Sequence, residues 1–300
     1  MIQVGLVGCG RWGRHILRDL RSLGAEVSVC VPSEEGRARA RDLGAVSVHA
    51  RPEDLPEAAG YVVASPTVTH AAVVEALIPR GRPIYVERPR TGATASAERI
   101  LRAAPNQVFC MDKWRWHPGI EMLRDLARGG ALGELRALRS FRLGWGNPHA
   151  DVDAIWILIP HDLSITLEVL GTLPPAVAAF TAAPGRADGL LAVLEAPDGP
   201  RVTLEVSAEH PVSRRALTVI GSTGSAQLGD SYDDAVLIRR PGDDGRGEKI
   251  QVSTEFPLLR ELRGFMEHLA GGPPPRSSAA DASEVVRRIA ELRALAGLPA

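Results

Sequence analysis

The chain has 300 residues, room for two domains of ordinary size. Hydrophobic residues make up 45% and charged residues 24%, a globular balance that excludes wholesale disorder and collagen-like repeats. With 35 Lys and Arg against 36 Asp and Glu, the net charge is −1, so no global field draws the chain to nucleic acid or anionic lipid.

Only two of the 35 basic residues are lysines, Lys113 and Lys249. The three cysteines, Cys9, Cys30 and Cys110, are scattered and build neither a disulfide framework nor a Cys-x-x-Cys metal site. Asp112, His117 and His149 match no ligand spacing, so no metal is expected. The start, Met1-Ile2-Gln3-Val4, lacks a basic leader, and no apolar run is long enough to span a bilayer. A cytoplasmic location and no membrane partner are the expectation.

The first third alternates apolar runs with helical patterns. Strands are expected at 2–7, 26–31, 46–49, 60–64, 83–87 and 107–111, and helices at 12–23, 34–43, 70–80 and 94–103. Such alternation implies right-handed crossovers and a parallel sheet. After Pro118 the pattern changes to a helix at 120–129, a strand at 135–143 and a helix at 163–170. Strands then follow one another at 176–181, 190–195, 202–207, 216–220, 225–228 and 236–239, punctuated by turns such as Pro197-Asp198-Gly199. Helices at 257–269 and 281–296 close the chain. The fold class is therefore an α/β Rossmann domain over 1–117, followed by an α+β domain over 118–300 with a largely antiparallel open sheet.

The sharpest motif is Gly8-Cys9-Gly10-Arg11-Trp12-Gly13, which follows an apolar strand and opens a helix. Gly8 permits the tight turn, Gly10 lets a pyrophosphate approach the backbone, and Gly13 lets the helix pack on the strand. The helix N-terminus offers free N–H groups to phosphate. In NAD-binding domains the next strand ends with an acid for the ribose 2′-hydroxyl. Here Val31, Pro32 and Ser33 stand there, with Arg37 and Arg39 close behind. Ser33 with Arg37 suits a 2′-phosphate and favours NADP over NAD, although both arginines also suit a plain solvated helix face.

Two further segments carry a resemblance. Ala64-Ser65-Pro66-Thr67-Val68-Thr69-His70 leaves a strand and opens a helix, and Val86-Glu87-Arg88-Pro89 leaves the next strand. With the glycine-rich loop, this layout resembles the glucose-fructose oxidoreductase, inositol dehydrogenase and rhizopine-catabolism (GFO/IDH/MocA) family. Trp156-Ile157-Leu158-Ile159-Pro160-His161-Asp162-Leu163 is similar to a second-domain segment of its sugar and nucleotide-sugar dehydrogenases. Lys113-Trp114-Arg115-Trp116-His117-Pro118 and the segment 219–225 also have family counterparts. The resemblance implies NAD or NADP held by Gly8, Gly10, Arg11, Trp12, Gly13, Ser65, Pro66, His70, Glu87 and residue 88. It implies interconversion of a hydroxyl and a ketone on a sugar or nucleotide sugar by hydride transfer, with His161 facing the nicotinamide.

The chain departs from the family pattern at two places. Arg88 stands where the family has a lysine, and Ile157 where an aspartate often precedes the histidine by four residues. A guanidinium stays protonated and cannot shuttle a proton, but it can hold a carbonyl or an anion. Three readings are open. His161 acts alone as acid and base while Arg88 orients the substrate; Lys113, just past the last Rossmann strand, takes over; or redox chemistry is lost and the protein only binds a dinucleotide. A further alternative keeps NADPH-dependent reduction of a ketone or imine metabolite.

Trp114, Arg115 and Trp116 suit either ring stacking or a domain-junction cluster. Asp162 suits capping of a helix starting near Leu163, or orienting His161. The apolar strands of the second domain need a cover, so a homodimer or homotetramer is expected.

Overall fold

The structure is a computed structural model describing residues 1–87, 94–146 and 152–299. The chain divides into two compact units, Met1–Lys113 with Phe256–Val286, and Trp114–Glu255 with Arg287–Ala300.

The first unit holds strands β1 (Gln3–Val7), β2 (Glu26–Cys30), β3 (Ser47–His49), β4 (Gly60–Val63), β5 (Ile84–Val86) and β6 (Val108–Cys110). Helices α1 (Gly13–Ser22), α2 (Glu34–Asp42), α3 (His70–Leu77) and α4 (Thr94–Ala103) alternate with them. All strand pairs are parallel, in the order β3-β2-β1-β4-β5-β6. This is the doubly wound Rossmann order, and the chain reverses direction across the sheet between β1 and β4. Strands β1, β4 and β5 read as nearly continuous apolar runs because helices cover both faces of the sheet. Every expected strand and helix of this region is present, with ends shifted by at most three residues.

The second unit begins with α5 (Pro118–Arg128), β7 (Leu135–Trp145) and α6 (Ala154–Leu170). It continues through β8 (Ala176–Phe180), β9 (Gly189–Leu194), β10 (Arg201–Ser207), β11 (Glu209–Gly221), β12 (Ser225–Leu228), β13 (Ala235–Arg239) and β14 (Glu248–Gln251). These form one eight-stranded sheet in the order β14-β13-β12-β11-β7-β10-β9-β8. All pairs are antiparallel except β7 with β10, so the largely antiparallel expectation holds. β10 alternates strictly between buried and half-exposed residues, and its buried side, Val202, Leu204 and Val206, is the core side.

Helix α6 corrects the expectation of a helix confined to 163–170. It starts nine residues earlier, where the Asp153 carboxylate accepts the Trp156 N–H at 3.1 Å. Pro160 inside it removes one backbone bond, yet the helix is buried almost all round and its packing holds it through the proline. β14 and the polar first half of β11 were not expected, because residues such as Glu209, Arg214 and Lys249 carry no apolar alternation.

The last two helices are α7 (Pro257–Leu269) and α8 (Ala279–Leu295). The expected 118–300 domain differs from the compact units, because 256–286 counts with the first. α7 lays Leu258, Leu262, Phe265 and Met266 into the core built on β1, β2 and α1. Phe265 stacks on Tyr85 of β5 with ring centroids 4.8 Å apart. Buried Glu261 accepts the Tyr85 hydroxyl at 3.1 Å and the backbone N–H of Asp112. Among the described residues, no helix is long and apolar enough to cross a membrane.

Candidate active site

In the first unit, the glycine-rich loop lies at the carboxyl end of β1, beside the exit of β4. Gly8 has φ +102°, and a Cβ there would sit 2.4 Å from the Ala64 carbonyl oxygen. The Gly8 N–H donates to the Cys30 carbonyl at 2.8 Å, which ties the loop to the end of β2. A Cβ on Gly13 would sit 2.3 Å from the Gly8 carbonyl oxygen, so the first turn of α1 presses on the loop. A Cβ on Gly10 meets nothing within 4 Å. The backbone there is open to a ligand.

No side chain caps α1, whereas Ser33 caps α2 by accepting the Gly36 N–H at 3.2 Å. The backbone N–H groups of Arg14 and His15 donate back to the carbonyls of Gly10 (3.2 Å) and Trp12 (2.9 Å), which leaves the Gly13 N–H at the start of α1 for an outside acceptor. The indole N–H of Trp12 is buried and has no hydrogen-bond partner among the described residues. These observations fit the pyrophosphate of a dinucleotide. Arg11 is exposed on the same loop.

Lys113 holds its ammonium over the Trp12 ring, 4.2 Å from the centroid. That contact puts the lysine on the nucleotide loop. The Trp12 ring also meets His15 edge-on at 5.7 Å. Burial, then Arg18 and Arg14, hold the His15 imidazole below its usual range, and Lys113 adds to the shift.

The two arginines behind β2 differ. Arg37 spends its donors locally, on the carbonyls of Val31 (3.1 Å) and Pro32 (2.6 Å) and on the Glu34 carboxylate. Arg39 instead reaches the glycine-rich loop and donates to the Cys9 carbonyl at 3.2 Å. The expectation paired Ser33 with Arg37; of the two arginines on α2, Arg39 is the one that reaches the loop.

The exit of β4 is held by its own side chains. The Ser65 hydroxyl meets the Thr69 hydroxyl at 2.7 Å, and Thr69 donates to the Pro66 carbonyl. His70 is buried, and its Nε2 lies 2.7 Å from the Ser65 carbonyl, so Nε2 must donate. From there His70 braces the turn. Glu87 closes β5, its N–H donating to the Val63 carbonyl at 2.8 Å. Arg88, Pro89 and His149 lie outside the described residues.

In the second unit, His161 lies in the middle of α6, and its Nδ1 is enclosed. The Trp114 ring meets the His161 ring edge-on, with centroids 6.3 Å apart. Ile157 is buried one helical turn earlier on the same side of α6. Asp162 neither caps a helix nor stays free. It accepts from Arg142 Nε at 2.7 Å and from the Ser140 hydroxyl at 2.6 Å. The cap belongs to Asp153, so the capping expectation for Asp162 is corrected.

Arg115 is buried in an ion pair with Glu168 at 2.8 Å, which removes it from ring stacking. His117 has both ring nitrogens engaged, Nδ1 accepting the Gly119 N–H and Nε2 donating to the Ser231 carbonyl, each at 3.0 Å. Trp114 stacks on the His117 ring and carries the Arg142 guanidinium over its own ring, 5.0 Å from the centroid.

A family model described as an oxidoreductase family with an NAD-binding Rossmann fold matches residues 2–110. The GFO/IDH/MocA C-terminal domain model matches residues 120–227. Among curated proteins, the chain is 25% identical to UDP-N-acetylglucosamine 3-dehydrogenase of Acidithiobacillus ferrooxidans, covering 91% of this chain and 90% of the relative. It is 27% identical to inositol 2-dehydrogenase 1 of Saccharopolyspora erythraea, covering 93% and 89%. Among solved structures, the 3-ketoreductase KijD10 of Actinomadura kijaniata, in complex with TDP-benzene and NADP, superposes with a TM-score of 0.86 at 20% identity, covering 99% of this chain and 98% of that one. The fold, the glycine cradle and both matched domains agree: the chain belongs to the GFO/IDH/MocA family of oxidoreductases with an NAD-binding Rossmann fold.

Proposed function

We propose that the chain is an NAD(P)-dependent oxidoreductase that interconverts a hydroxyl and a ketone on a sugar or nucleotide sugar. The observation that carries the reading is the open backbone at Gly10 between the tight turn of Gly8 and the uncapped start of α1. Relatives named as dehydrogenases of UDP-N-acetylglucosamine and of inositol support the substrate class.

When bound, the nicotinamide supplies the hydride acceptor or donor. The protein's share is proton transfer and orientation. His161 takes the hydroxyl proton as the carbon loses its hydride, and returns it in the reverse direction. Imidazole titrates near neutrality and suits both steps. Because Nδ1 is enclosed, Nε2 exchanges the proton. Ile157 offers no carboxylate to share that task, so His161 acts alone. Arg88 stays charged and orients the substrate oxygen. Lys113 serves the nucleotide side, adding positive charge beside the loop that faces the pyrophosphate. Ser33 and Arg39 favour the 2′-phosphate of NADP over the bare hydroxyl of NAD.

The exposed cross-strand pair Phe180 and Leu191 marks the sheet face on which we expect a second copy, as homodimer or homotetramer. Three buried free thiols suit a reducing cytoplasm.

The test is a titration with NADPH and NADH, followed by energy transfer from indole to nicotinamide, and then a screen of sugars and nucleotide sugars. Binding of neither nucleotide would sink the reading. With a turned-over substrate in hand, His161→Ala should lower kcat by about 10²–10⁴-fold while nucleotide binding stays intact. Lys113→Ala should instead weaken nucleotide binding. The reverse pattern would move the proton transfer to Lys113.

A further inference from the structure

The second unit contains a recess of about 280 Å³ of empty space, lined among others by Trp114, Ser140, Arg142, Asp162, Arg215 and Ser231. That space includes open solvent; its enclosed part, about 20 Å³, admits one water-sized group such as a single oxygen of an anion, and not a ring.

The charges in this recess do not balance. Arg142 on β7 and Arg215 on β11 are directly opposite each other in the antiparallel register. Like charges in that position repel. Asp162 hydrogen-bonds only one of them, with both its oxygens committed to Arg142 and Ser140, and attracts Arg215 only through space. Arg215 is half-buried and has no hydrogen bond, ion pair or ring contact among the described residues. Asp230 acts on it only at a distance, its carboxylate accepting the Tyr232 N–H at 3.2 Å and the Ser231 hydroxyl at 3.3 Å. Burial and the neighbouring Arg142 both hold the Arg215 guanidinium below its usual range. A cation in this setting gains most from an acceptor supplied from outside.

The geometry points to an oxyanion-binding subsite at Arg215, which takes a carboxylate or phosphate carried by the hydroxylated ring on which the enzyme acts. The inference rests on the oxidoreductase reading and narrows its substrate to anionic sugars. Trp114 joins the two features, since its ring lines the recess and meets the His161 ring edge-on. The planar guanidinium can take two oxygens of the anion at once, which a lysine could not match.

The test is calorimetric binding of D-glucuronate, D-glucose 6-phosphate, UDP-glucose and neutral D-glucose, with and without NADPH. The wild-type chain should bind at least one anionic probe about tenfold or more tightly than glucose. Which probe wins separates carboxylate, phosphomonoester and diphosphate. Arg215→Gln should erase the preference, and Arg215→Lys should restore part of it. Because Arg215 has no partner to orphan, the Gln variant should melt no lower than wild type, so loss of binding is not loss of fold. Equal binding of charged and neutral probes, or a preference that survives Arg215→Gln, overturns the inference. The two readings fail separately. Turnover of a neutral sugar with no effect of Arg215→Gln removes the subsite and keeps the oxidoreductase. Arg215-dependent anion binding without nucleotide binding does the opposite.

Discussion

Asp162 and Arg142 form a buried pair at 2.7 Å, with side-chain exposures of 1% and 5%. The pair joins the centre of α6 to β7, one residue along the chain from His161. It holds α6 to the sheet that carries the recess.

Breaking this pair from one side is costly. Asp162→Ala leaves a buried guanidinium and the Ser140 hydroxyl without their acceptor. We expect a loss of about 3–5 kcal/mol in urea unfolding, and a smaller loss for Asp162→Asn, which keeps an acceptor oxygen. Unchanged stability in the alanine variant would mean that water replaces the carboxylate.

The glycines of the nucleotide loop should separate folding from binding. A methyl at Gly13 meets the Gly8 carbonyl, so Gly13→Ala should lower the melting temperature as well as nucleotide affinity. A methyl at Gly10 meets no protein atom. Gly10→Ala should melt like wild type but weaken NADPH and NADH alike, because the methyl occupies the phosphate's approach. Unimpaired binding in Gly10→Ala would move the pyrophosphate off this loop.

Cofactor choice is expected to lie with Arg39. Arg39→Ala should weaken NADPH by about tenfold, the value of one charge-assisted contact, with little change for NADH. Arg37→Ala should leave the ratio of the two affinities unchanged, since its donors serve Val31, Pro32 and Glu34. A swap of these two outcomes would return the role to Arg37.

Tyr85 makes the first unit sensitive to alkali. Burial, reinforced by the Glu261 carboxylate, holds its phenol well above the usual range. The unfolded chain releases that proton near pH 10 and the folded chain does not, so stability is complete below about pH 10 and falls above it. One such group contributes a slope of about 1.4 kcal/mol per pH unit. Cys30, pushed up to about 11, adds a fall of the same sign that begins near its ordinary value of 9.0. Comparing unfolding of wild type and Tyr85→Phe between pH 9 and 11 isolates the tyrosine. Identical alkaline slopes would remove it as the cause.

Much of this protein is legible along the chain. The alternation of apolar runs with 3.6-residue patterns determined the parallel sheet and its helices, because each rests on contacts a few residues apart. Gly8, Gly10 and Gly13 announced the nucleotide loop, because a tight turn and a close backbone approach admit few other residues. Local reading stopped at Pro160, where a breaker hid a helix that begins at Ala154. Only tertiary burial, with the Asp153 cap, carries the chain through that proline. Tertiary structure alone decided that α7 returns to the first core through Glu261, 176 positions from Tyr85. It likewise turned Arg39 rather than Arg37 to the loop, committed Asp162 to Arg142, and left Arg215 without a hydrogen bond among the described residues. Such pairings depend on which strands lie side by side, and strand order is settled by the packing of distant segments that no local period records.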